Sequence, residues 1–150
     1  MSFSEKIKTI LSFVWDTSEK TSDDDLLGDI NTTRFVVLDT ETTGFDYDND
    51  RILCIGAIVL QNNTISVQDS FEVYIEQDHY NKATAQIHGI LKDLVLDRPR
   101  ELEALKQFLF FLGDSIIIAH HTKFDVTMIN RALERNGLPE LKNRTLDTAI

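Results

Sequence analysis

Two apolar runs in this sequence stop in side chains that resist burial. FVVLDTETTGF at 35–45 ends in Asp39 and Glu41, and IIIAHHTKFDVTMI at 116–129 carries His120, His121 and Asp125. Asp39 and Glu41 lie two residues apart at the end of a strand-like run, so period two sends both carboxylates to one face, near enough to share a cation. Hard oxygen donors suit Mg2+ or Mn2+, which take only a couple of protein carboxylates and keep other positions for water and substrate phosphate. Asp125, opening a helix after another buried strand, can bring a third carboxylate to the same sheet edge, where ligands of open α/β sheets collect. Two such ions about 3.5–4 Å apart clamp the attacking and leaving oxygens of a phosphodiester during in-line displacement. Each residue also has a plainer reading: Asp125 as a helix cap, and Asp39 with Thr40, Thr42 and Gly44 as turn chemistry. Against the plainer readings, packing gives no reason for two strands to end the same way.

The elements that must position these residues follow from hydrophobic period. Residues 34–40 predict a strand from their Phe, Val, Val, Leu content; 51–60 and 64–75, joined by a QNN turn, predict a hairpin. Helical spacing at 101–112 is opened by Pro99 and stopped by Gly113, and 115–119 is a short apolar strand of the kind covered on both faces. A helix is expected over 125–136, ending at Gly137 with Pro139 beyond, and a last strand over 144–147. Three strands followed by alternating helix and strand make a mixed α/β sheet.

Ahead of this domain, assigned to 31–150, residues 1–30 form an appendage. Phe3, Ile7, Ile10, Leu11 and Val14 share one helical stripe, with Ser2 and Glu5 as a capping box, and an acidic linker follows. The stripe has two uses, packing on the body of the domain or receiving a partner helix or membrane surface.

At 150 residues, 42% hydrophobic and 27% charged, the chain has the composition of one domain with a real core. A net charge of −10 argues against coating nucleic acid by bulk electrostatics, so a phosphate partner must be held locally. The lone cysteine, Cys54, excludes an internal disulfide and reads as a small core residue in a reducing, cytoplasmic protein. No apolar run approaches the ~18 residues of a membrane span.

Beyond spacing, LDTETTG at 38–44 resembles the first signature of the DEDD 3′–5′ exonucleases, the group that includes proofreading subunits of bacterial replicative polymerases. AHHTKFD at 119–125 is similar to their second signature, HNAxFD, and IHGI at 87–90, followed by an acid and a helix, is similar to the segment between. The resemblance spans about 33–150. It implies a ribonuclease H-like fold, with three antiparallel strands followed by parallel strands and flanking helices. It also implies hydrolysis at a nucleic acid 3′ end, single-stranded DNA favoured and RNA possible, with two divalent ions, Mg2+ or Mn2+. On the matching positions, Asp39 and Glu41 would ligate one ion, Asp39 would bridge to the second, and Asp125 would complete the site. Thr42, His88 and Ile90 would touch the terminal nucleotide. Thr42 stands where oligoribonucleases tend to carry Met, which favours the proofreading-like branch.

The chain departs from the pattern at His121, usually Asn, and at Leu91, usually Thr. His120 matches its motif position but is expected to be architectural. The family's fourth acid and, in its histidine-bearing branch, its general base lie in a third signature downstream of TLDT at 145–148, and the sequence ends at Ile150. The chain is therefore expected to be a piece of a longer exonuclease with an apolar sheet face left open and no general base of its own. The rival expectation is a non-catalytic binding or assembly module on the same fold. A protein partner is expected through residues 1–15, and no membrane.

Overall fold

The computed structural model describes residues 32–78 and 97–149, with residues 5, 8 and 12. The appendage apart from those three positions, His79, His88, Ile90 and Leu91 lie outside the described residues. Within them the order is β1 (Phe35–Thr42), β2 (Ile52–Gln61), β3 (Thr64–Tyr74), α1 (Glu101–Leu112), β4 (Ile116–Ala119), α2 (Thr122–Arg135) and β5 (Thr145–Asp147). One five-stranded sheet runs β3-β2-β1-β4-β5. β1–β2 and β2–β3 are antiparallel; β1–β4 and β4–β5 are parallel. The expected mixed sheet is thus present, with its meander on one side and its parallel strands on the other.

Alternation along β1 divides its side chains between two apolar clusters. Val36 and Leu38 join Leu105, Phe108, Met128, Ile129 and Leu133 of the two helices. Phe35 and Val37 join Ile58, Leu60, Ile116 and Ile118 on the opposite face. On that opposite face Val37 is 1% exposed and Ile118 0%, with Ile65 and Leu146 of the same sheet packed around them. Burying six such side chains stabilises the sheet by roughly 1.5–3 kcal/mol each.

The helix ends follow backbone rules. Gly113 closes α1 at φ 53, a left-handed region where a Cβ is unfavourable. After α2, Leu138 N–H donates to Leu133 O at 2.9 Å and Gly137 N–H to Glu134 O at 3.0 Å, with Gly137 at φ 69. The start of α2 lies at Thr122, one turn earlier than its sequence suggests, so Asp125 sits within the first turn.

Between β1 and β2, Asp50 pins the turn, accepting Thr43 Oγ1–H at 2.7 Å and Asp46 N–H at 2.9 Å. Its carboxylate lies against Gly44, where an added Cβ would stand 2.4 Å from Asp50 Oδ2. Gly44→Ala is therefore expected to destabilise the fold by about 1–3 kcal/mol, seen as a lower urea midpoint. An unchanged midpoint would mean that Asp50 yields without loss.

Candidate active site

β1 runs past its parallel neighbour. Its pairing with β4 covers Phe35, Val36 and Val37, whereas its ladder with β2 continues to Thr42. Beyond Val37, on the β4 side, Asp125 of α2 takes the place a strand would occupy: its Oδ1 accepts Thr40 N–H at 3.0 Å and Thr40 Oγ1–H at 2.6 Å. Asp125 is 3% exposed. A carboxylate this deep is tolerable because it receives hydrogen bonds, one from a backbone group that would otherwise go unpaired. The structure thus decides against Asp125 as the helix cap.

Asp39 and Glu41 leave β1 on the other parity from Thr40 and Thr42, and both are only half-buried where Thr40 and Thr42 are buried. All three acids line one cavity of about 550 Å3 at the end of the sheet. Thr42 lines it too, with its hydroxyl donating to Gly44 O at 2.7 Å. His120 and His121 share the rim, rings 4.7 Å apart, and His120 Nδ1 lies 3.1 Å from Thr148 Oγ1.

Five further residues enter that were not singled out from sequence. Lys123 supplies a cation at the cavity. Phe45, 73% exposed, and Tyr47 pack against Phe124 with centroids 5.7 and 5.9 Å away, forming an aromatic wall. No sequence signal marks Phe45, whose exposure appears only in the fold. The fifth is Asp147, at the end of β5. Its Oδ1 accepts His121 N–H at 3.0 Å and Ala149 N–H at 2.9 Å, and its Oδ2 accepts Thr122 N–H at 3.2 Å. Burial pushes this carboxyl up, but the three N–H donors and the His121 charge outweigh it and hold it below the usual carboxylate range.

His121 adopts φ 62, ψ 54. Outside glycine, Asn, Asp and His are the residues enriched in this left-handed region. The replacement of the motif's Asn by His121 therefore preserves what the backbone asks of that position. Behind the acids, Cys54 pairs with Glu41 across the β1–β2 ladder. Burial, with Glu72, Glu41 and Asp39 adding, pushes its thiol up to about 12, so it stays protonated.

Among the described residues, no group of three or more His, Cys, Asp and Glu side chains is gathered closely enough to hold a metal ion by itself. The donor chemistry still fits a hard divalent cation of the Mg2+ kind, because such ions use one or two carboxylates and complete their shell from water and phosphate. Asp39 and Glu41, on one face of one strand, would supply such a pair.

A mixed sheet bearing acids at the end of its central strand, with a helix carboxylate beside them, matches the ribonuclease H-like fold that the resemblance implies. The family model described as "Exonuclease", of RNase T type, matches residues 36–150, and the chain belongs to this exonuclease family. It is 36% identical over 115 residues to the DNA polymerase III PolC-type of Listeria innocua, covering 76% of this chain and 8% of that protein. It is 38% identical over 107 residues to DNA polymerase III subunit epsilon of Buchnera aphidicola, covering 67% of this chain and 46% of the relative. The chain thus spans less than half the length of these relatives. In fold it is similar to E. coli exonuclease I in a zinc-bound complex with single-stranded DNA, at TM-score 0.68 and 18% identity over 77% of this chain and 28% of that one. Exonuclease I in complex with SSB-Ct gives the same TM-score, 0.68. Among the described residues, no helix is long and apolar enough to cross a membrane.

Proposed function

We propose that this chain carries the acidic face of a cytoplasmic, metal-dependent 3′–5′ exonuclease that releases nucleoside monophosphates from single-stranded DNA, with RNA as a second substrate. The observation that carries the proposal is Asp39 and Glu41, side by side on β1, facing one cavity with the buried Asp125. The PolC-type and epsilon relatives, both named as parts of DNA polymerases, favour DNA.

In this mechanism Asp39 and Glu41 would hold the divalent cations, and Asp125, which lines the same cavity, would complete the site. When bound, such ions neutralise the charge that builds on the phosphate under in-line attack. Thr42 borders the terminal nucleotide, and His88 and Ile90 are the other candidates for that contact. The Phe45–Phe124 wall offers apolar surface to a base, and Lys123 a charge to a backbone phosphate. General-base action belongs to a group other than the residues placed here.

Single-stranded DNA labelled on its 3′-terminal nucleotide, given to the complete protein with Mn2+, is expected to release labelled mononucleotide in the first turnover. Release beginning from the 5′ end, or tight Mn2+ binding without any release, would reject the reading. Equal oligonucleotides of DNA and RNA, compared by kcat/KM, rank the two substrates.

A further inference from the structure

Asp147 is a fourth carboxylate at the cavity, and its type alone would suggest another cation ligand. Its hydrogen bonds say otherwise. Both oxygens face backbone donors, His121 and Ala149 on Oδ1 and Thr122 on Oδ2. His121 and Thr122 are donors of a helix start, where α2 has no side-chain cap from His121 itself, and Ala149 adds a local contact two residues beyond Asp147. The same junction is stitched by Thr122 Oγ1, in contact with Ala119 O at 3.0 Å and Leu146 O at 2.7 Å, and by Thr148 N–H donating to Ala119 O at 3.0 Å. One turn further along, Asp125 bonds Thr40 of β1. The first turn of α2 is therefore held from β5 at one end and tied to β1 at the other, across the end of β4.

We propose that Asp147 is a positioning residue of the exonuclease site. By accepting the N–H groups of His121 and Thr122 it holds the left-handed turn that opens α2, and so sets Asp125 against Thr40 beside Asp39 and Glu41. Left-handed backbone at a non-glycine residue is sparsely populated and persists only where its surroundings impose it. Without the Asp147 oxygens the turn is free to relax, and Asp125 moves with it. The inference rests on the exonuclease reading for its kinetic consequence, but not for its structural one.

The Thr40 amide reports the placement without turnover. In the complete protein, Asp147→Ala is expected to speed hydrogen exchange at that amide by about tenfold or more, while the β1–β2 ladder keeps its protection. Asp147→Asn, which keeps one acceptor oxygen, is expected to lie between, and serves alone if the alanine variant does not fold. In nucleotide release, Asp147→Ala is expected to lower kcat by about 10–100-fold with KM little changed, and to weaken Mn2+ binding measured by calorimetry. In an Asp125→Asn background the same substitution is expected to add less than about twofold, because both changes act through one carboxylate. Unchanged Thr40 exchange in both variants overturns the proposal, as does a full multiplicative loss in the Asp125→Asn background. A wild-type protein that releases no nucleotide yet shows the Thr40 response overturns the exonuclease reading alone, and supports the hold of Asp147 on Asp125.

Discussion

Asp39→Asn in the complete protein is expected to slow nucleotide release by about two to three orders of magnitude while leaving the fold in place. Asn keeps the size of Asp but lacks the charge that draws a divalent cation, and it stands where two ions would share a ligand. Losing that much transition-state stabilisation costs about 3–4 kcal/mol, on the order of 10²–10³ in kcat. Asp39 is only half-buried, so the urea midpoint should shift by the small amount typical of an accessible site, about 0.5 kcal/mol or less. The two measurements together are discriminating. Full activity in the variant removes Asp39 from the mechanism, and a collapse of stability would show that it serves the fold instead.

Asp125 is expected to behave differently, because it serves both ends at once. Asp125→Ala leaves the Thr40 N–H and hydroxyl without their carboxylate in a site 3% exposed, which should cost about 1–3 kcal/mol of stability on top of the loss of activity. Asp125→Asn keeps an oxygen for those donors but not the charge. It should therefore recover most of the stability and little of the turnover. Urea denaturation and nucleotide release, measured on both variants, separate the roles; an alanine variant as stable as wild type would mean that the Thr40 contact contributes nothing.

Much of this arrangement could be read in the residues. The Phe, Val, Val and Leu content of 34–40 predicted a strand where β1 runs from Phe35 to Thr42, since a strand buried on both faces until Leu38 leaves that mark on composition. Gly113 and Gly137 marked their helix ends for the same local reason, a left-handed backbone. The start of α2 was missed by three residues because Asp125 resembles an N-cap in the text. The carboxylate that does that work comes from Asp147, 25 positions after the Thr122 N–H it receives. Capping from a distant strand has no sequence period, so only folding reveals it. His121 looked like a lapse from the motif, yet its φ of 62 shows a position selected by backbone geometry.

Strand β1 carries its acids beyond its last parallel partner without parting from β2, which stays paired to it through Thr42. Under the proposed metal-binding role, a pair mounted on such a rail would arrive already ordered, with little entropy left to surrender when ion and nucleic acid dock. Affinity at this edge should accordingly respond more to the firmness of the rail than to the length of the turns around it.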